Sequence, residues 1–104
     1  MKKLFYFVFL VLCTSAFAQL KIISWNVENL GKSKSDSTIT YIANILKDYD
    51  VVALQEVVAG YGGTQAVAKL AEELNQKGTK WEYVVSEPTS GNSYKKERYA
   101  FLWK

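Results

Sequence analysis

Histidine is absent from the 104-residue sequence, and cysteine, proline and methionine each occur once. General acid or base catalysis by a histidine of this chain is therefore excluded. The one cysteine, Cys13, lies within residues 1–18, which we interpret as a cleaved leader. The mature chain would then have no thiol and no disulfide, so we expect its fold to depend on a hydrophobic core.

The leader has the features of a secretory signal peptide. Lys2 and Lys3 form a basic start, residues 4–12 are an unbroken apolar run, and small residues precede a cut between Ala18 and Gln19. The run is shorter than the roughly 20 residues needed to cross a bilayer. We predict a secreted or periplasmic protein without stable membrane association after cleavage; an uncleaved anchor is the alternative.

The charge of the mature chain is nearly balanced. The sequence contains 13 basic and 10 acidic residues, and Lys2 and Lys3 of the leader account for two of the basic ones. This balance excludes a generally basic surface of the kind that binds nucleic acid without specificity. Cations gather locally at Lys95, Lys96 and Arg98.

The hydrophobic pattern indicates one α/β domain, or part of one, over residues 19–104. Predicted strands cover residues 20–27, 51–54, 81–86 and 98–103, and predicted helices cover residues 38–47 and 64–76. Alternation of strands and helices favours an α/β sheet, and the last two strands add an antiparallel pair. The first strand carries apolar groups on both sides, which predicts burial on both faces.

The sequence ends among apolar, strand-forming residues, from Tyr99 to Lys104. Complete domains usually end in a surface segment, so we interpret residues 19–104 as the N-terminal part of a larger domain. A small domain that ends naturally in a strand is the alternative.

Two polar side chains follow apolar strands where each strand ends. Asn26 and Glu56 offer amide and carboxylate oxygens, which are hard ligands suited to Mg²⁺ or Ca²⁺. A glutamate in this position also serves as an ion-pair or capping residue, and an asparagine also satisfies backbone groups in a turn. From these residues alone, a shared metal site is a hypothesis beside those structural roles.

The segment before the last strand combines neutral donors with positive charge. These are the groups that binding of a phosphate backbone requires, although an ordinary solvated loop has the same composition. The candidate phosphate-binding residues are Asn92, Ser93, Tyr94, Lys95, Lys96 and Arg98.

Together, three segments resemble the endonuclease/exonuclease/phosphatase superfamily, and most closely its deoxyribonuclease I branch. The segments are residues 20–27, residues 49–57, and residues 83–88 continuing into 92–102. The resemblance implies a four-layer α/β sandwich with two inner sheets, of which this chain would form the N-terminal half. It also implies a monomeric phosphodiesterase, an endonuclease that hydrolyses DNA.

The resemblance assigns roles to individual residues. Asn26 and Glu56 would hold the catalytic Mg²⁺, with Mn²⁺ or Ca²⁺ as possible substitutes, and Asn92 and Tyr94 would contact the nucleic-acid backbone. Glu56 and Glu97 would be the catalytic carboxylates, Glu56 as a metal ligand and Glu97 by orienting a histidine. The family's histidines come from the C-terminal half, so we predict that the 104-residue chain is inactive by itself.

Three departures from the family pattern leave the substrate open. Val58 and Gly91 replace arginines that would contact DNA, and the pair Lys95 and Lys96 is one residue longer than usual. Loss of these arginines suggests a phospholipid or sugar-phosphate ester as an alternative substrate. The absence of histidine suggests another alternative, a non-catalytic binding module of the same fold.

Overall fold

The computed structural model describes residues 19–90 and 96–104. The predicted leader and the predicted contacts at Asn92, Ser93, Tyr94 and Lys95 lie outside the described residues. The described elements, in chain order, are β1 (Ile22–Leu30), α1 (Asp36–Leu46), β2 (Val51–Val58), α2 (Gly63–Asn75), β3 (Glu82–Val85) and β4 (Glu97–Trp103).

The four strands form one mixed sheet in the order β1-β2-β4-β3. β1 and β2 are parallel and are connected through α1, whereas β4 is antiparallel to both β2 and β3. The predicted α/β class with a final antiparallel pair is confirmed. Because β1 and β2 are parallel neighbours, their carboxyl ends lie at the same edge of the sheet.

Local capping determines where the helices begin. Ser35 is the N-cap of α1, and its Oγ accepts a hydrogen bond from the Thr38 backbone N–H at 3.2 Å. Before α2, the Gln65 side chain reaches back and accepts from the Gly62 N–H at 3.1 Å. Both helices therefore begin slightly earlier than the hydrophobic spacing predicted, at Asp36 and Gly63.

Both helices pack on the same face of the sheet and bury their apolar stripes there. Burial of apolar surface in this layer is the main stabilising contribution to the fold. Neither helix among residues 19–90 and 96–104 is long and apolar enough to cross a membrane. The largest fully buried side chains are Leu30, Leu46, Leu54, Leu70, Leu74, Leu102, Val52, Val57 and Val67.

The opposite face of the sheet is apolar but uncovered in the described part of the chain. Ile22 is 63% exposed, Val84 51%, Phe101 45% and Trp103 38%. This differs from the predicted burial of the first strand on both faces, because the described helices all lie on one side of the sheet. Val27 is buried toward the helices, whereas Ile22 points away from them.

Candidate metal and phosphate site

The carboxyl ends of β1 and β2 are irregular at the positions that the sequence singled out. Asn26 lies beside Gln55 in the parallel register, and the next registered pair is Leu30 with Val57. Three residues of β1 therefore match one residue of β2, Glu56. On the other side of β2, Gln55 and Glu56 together oppose the single position of Tyr99, which makes a β-bulge.

Backbone strain is concentrated at this irregularity. Glu28, Asn29 and Glu56 have positive φ angles of 44°, 55° and 61°, and no other non-glycine residue in the described ranges has one. The left-handed conformation costs an L-residue roughly 1–2 kcal/mol. Strain of this kind clusters at functional sites, where the surrounding structure maintains it. All three strained residues lie at the adjoining ends of β1 and β2.

Asn26 is exposed in β1 at the point where the regular pairing with β2 stops, and its side chain is oriented by the backbone. Its Oδ1 accepts a hydrogen bond from the Glu28 N–H at 3.0 Å, which closes a turn typical of asparagine. The predicted turn role of Asn26 is therefore present. Asn26 also lines a cleft of about 230 Å³, together with Glu28, Lys34 and Tyr41.

Glu56 is half-buried and directly follows Gln55, the residue registered with Asn26. Gln55 donates through Nε2 to Ser24 Oγ at 2.7 Å and so links β1 to β2 within the bulge. A carboxylate and an amide oxygen fit Mg²⁺, which keeps several waters and binds one or two protein carboxylates. Among residues 19–90 and 96–104, no group of three or more His, Cys, Asp or Glu side chains gathers.

Glu97 is the first residue of β4, which pairs with β2, the strand that contains Glu56. It is half-buried and registered with Val58 of β2. Its N–H donates to Thr89 Oγ1 at 3.0 Å, and the Thr89 N–H donates to its carbonyl at 2.7 Å. Two hydrogen bonds thus fix the backbone of Glu97, and the catalytic role of its carboxylate stays a prediction.

Arg98 makes contacts that the sequence did not indicate. Its Nε donates to the Ala59 carbonyl at 3.2 Å and its Nη1 to the Ser86 carbonyl at 3.0 Å. These bonds tie the end of β2 to the segment after β3 and use two of the five guanidinium N–H donors. Phosphate binding by Arg98 stays a prediction beside this structural role. Lys96, also predicted to bind phosphate, is exposed.

Close backbone contacts hold the loops after β1 and β2 together. A Cβ on Gly31 would lie 2.8 Å from Val58 Cγ2, and a Cβ on Gly63 would lie 1.7 Å from the Val58 carbonyl oxygen. Gly62 has a φ of 96°, and a Cβ there would lie 2.7 Å from the Lys32 nitrogen. Val58, noted for replacing an arginine, therefore packs against this junction. In the sequence, the glycines at 60, 62 and 63 were the available indication of this close packing.

The chain matches the Endonuclease/Exonuclease/phosphatase family over residues 23–104. It is 44% identical to Deoxyribonuclease-1 of Bos taurus over 88 residues, which are 82% of this chain and 30% of that protein. Deoxyribonuclease-1 of Homo sapiens is 43% identical with the same coverage. The chain thus spans about a third of the length of these relatives.

A solved structure has the same fold. The endonuclease/exonuclease/phosphatase family protein from Leptotrichia buccalis C-1013-b superimposes with a TM-score of 0.61 at 22% identity, over 82% of this chain and 37% of that one. The observed sheet and helices are accordingly those of an N-terminal part of the deoxyribonuclease I-like fold. The chain belongs to the endonuclease/exonuclease/phosphatase family, in its deoxyribonuclease I-like branch.

Proposed function

We propose that this chain is the N-terminal part of a secreted, metal-dependent phosphodiesterase that hydrolyses DNA as an endonuclease. The observation that carries the proposal is the meeting of two bulged, strained strand ends at Asn26 and Glu56. A strained backbone at the point where neighbouring strands carry an amide and a carboxylate is costly for stability alone and useful for holding an ion. The relatives named Deoxyribonuclease-1 support DNA as the substrate.

Asn26 and Glu56 would hold the Mg²⁺, which when bound polarises the phosphoryl oxygen and stabilises the leaving oxyanion. Asn26 Oδ1, already oriented by the Glu28 N–H, supplies a neutral oxygen. Glu56 supplies the charge, and it lies outside the regular ladder, directly after the residue registered with Asn26. Glu97, on the neighbouring strand, would orient a proton-transferring histidine contributed by another part of the protein.

The uncovered face of the sheet supports a larger domain. Its exposed Ile22, Val84, Phe101 and Trp103 form an apolar surface that would be unfavourable in water. A second sheet packed on this face would give the four-layer sandwich and would carry the histidines. On this proposal, the 104-residue chain alone neither completes the site nor turns over substrate.

Plasmid nicking tests this function directly. We expect the full-length protein to nick supercoiled DNA with Mg²⁺, and Glu56→Ala to abolish nicking. Glu72→Ala, on the exposed side of α2, is the matched control and should leave nicking intact. Absence of nicking by the wild-type protein, or full activity of Glu56→Ala, would refute the proposal.

A second candidate keeps the fold and changes the substrate to a phospholipid or sugar-phosphate ester. It is favoured by Val58, which packs on Gly31 where the family pattern has a DNA-contacting arginine. Parallel hydrolysis assays with DNA, RNA and sphingomyelin separate the two candidates. Faster turnover of sphingomyelin than of DNA would favour this second function.

A further inference from the structure

A second cleft, adjoining the candidate metal site, has a different chemistry. It has a volume of about 230 Å³ and lies between the loops after β1 and β2 and the first turns of α1 and α2. Lys32, Lys34, Lys69 and Tyr61 line it, with Asp36 as an acidic member. Three ammonium groups against one carboxylate give the cleft a net positive charge, although the mature chain is nearly neutral.

One of the three lysines is fixed by an ion pair. Lys69 Nζ lies 2.6 Å from Asp36 Oδ1, and this hydrogen bond raises the pKa of Lys69 above its usual value of 10.5. Lys69 is therefore protonated at neutral pH. Its pairing with Asp36 leaves Lys32 and Lys34 as the principal cations offered to a ligand.

Tyr61 is an aromatic side chain presented to solvent by the turn after β2. It is 78% exposed, and Lys32 Nζ lies 5.5 Å from the centroid of its ring. The turn lies against the loop after β1, because Gly62 packs its backbone on the Lys32 nitrogen with no room for a side chain. An exposed ring beside cations is the combination on which proteins stack the bases of single-stranded nucleic acid.

The cleft adjoins the cleft that contains Asn26, at one shared residue. Lys34 lines both this cleft and the cleft that contains Asn26. A nucleic-acid strand whose phosphate lies at Asn26 can therefore extend past Lys34 toward Tyr61. This route does not use Val58, the position at which the family's groove-contacting arginine is absent.

We propose that the Lys32–Tyr61 cleft binds an unpaired nucleotide of the substrate strand, with its phosphate on Lys32 and Lys34 and its base stacked on Tyr61. The inference rests on the proposed function and deepens it. It assigns a preference for single-stranded or locally opened DNA, in place of reading the groove of an intact duplex.

The test measures binding apart from hydrolysis. The full-length protein is titrated, in buffer with EDTA, into a fluorescein-labelled thymidine 20-mer and a blunt 20-base-pair duplex, and fluorescence anisotropy gives the Kd for each. We expect Tyr61→Ala to weaken binding of the single strand at least about fivefold, as the loss of one base-stacking contact does. Tyr61→Phe, which keeps the ring, should bind like the wild type.

Lysine variants test the phosphate contact. Lys32→Ala should weaken binding and lower the slope of log Kd against log salt by about 0.7, as expected for one lost phosphate contact on a single strand. Lys77→Ala, at an exposed position in the turn after α2, is the charge-matched control and should change neither quantity. Asp36→Asn removes the negative charge of the cleft and should tighten binding.

Two results would overturn the inference. One is an unchanged single-strand Kd in Tyr61→Ala and Lys32→Ala, and the other is tighter binding of the duplex than of the single strand by the wild type. If plasmid nicking is intact, either result refutes nucleotide binding in the cleft and leaves the nuclease proposal unaffected. If the wild-type protein does not nick plasmid DNA but the variants change the anisotropy as expected, the nuclease proposal alone is refuted.

Discussion

Replacing Glu56 by glycine should stabilise the protein relative to replacing it by alanine. The φ of Glu56 is 61°, which costs an L-residue roughly 1–2 kcal/mol and glycine almost nothing. Glycine also gains about 0.4–1 kcal/mol of conformational freedom in the unfolded chain, which opposes the effect. The net expectation is that Glu56→Gly has a free energy of unfolding about 0.5–1 kcal/mol higher than Glu56→Ala. Urea unfolding of the two full-length variants, followed by circular dichroism, measures this difference.

Gln55 provides the matched control for this comparison. It lies in the same bulge, but its φ is not positive. Gln55→Gly should therefore be less stable than Gln55→Ala, by roughly 0.5–1 kcal/mol. The same order at both positions, with alanine the more stable, would show that Glu56 is not strained and would remove the main structural support for the site.

Three further expectations concern the surroundings of the site. Gly62→Ala should destabilise the protein by more than about 1 kcal/mol in urea unfolding, since it meets both a φ of 96° and the neighbouring loop, whereas Gly60→Ala meets open space and should be nearly neutral. Arg98→Met should cost about 2 kcal/mol in the same assay, because two backbone carbonyls lose a charged donor; an unchanged midpoint would contradict this. The pKa of Lys69 is raised by Asp36, so their pair stabilises the fold at neutral pH and loses this contribution as pH rises above 10.5 through the raised pKa. Lys69→Met should remove that part of the alkaline loss of stability, and an unaltered pH profile would count against the pair.

The regular parts of the fold were predictable from the sequence. Ile39, Ile42 and Leu46 recur at helical spacing and are buried as that spacing predicts, and Ser35 caps the helix. The order of strands and helices followed from the same local patterns. These features depend on neighbours in the chain, which a single sequence contains.

The site was predictable only in its residue types. Asn26 and Glu56 were identified as strand-end ligands, but the strands continue beyond them through bulges because pairing resumes at Leu30 and Val57. The positive φ of Glu56 depends on registers with two different neighbouring strands. No local pattern contains that information.

Long-range contacts account for the other differences. Arg98 donates hydrogen bonds to carbonyls that are 39 and 12 residues away in the chain. The composition of the segment around it therefore suggested only a cation that binds phosphate. The cleft around Tyr61 likewise joins two loops that lie apart in the sequence. The roles of Asn92 and Tyr94 stay predictions.

The most direct test of the central claim, that the ends of β1 and β2 hold the metal, is a titration of the full-length protein with Mn²⁺ followed by electron paramagnetic resonance. We expect Glu56→Gln, which removes only the charge, to weaken Mn²⁺ binding at least tenfold, Asn26→Ala to weaken it less, and Glu72→Gln to have no effect. Equal Mn²⁺ affinity in the wild type and Glu56→Gln would contradict the claim.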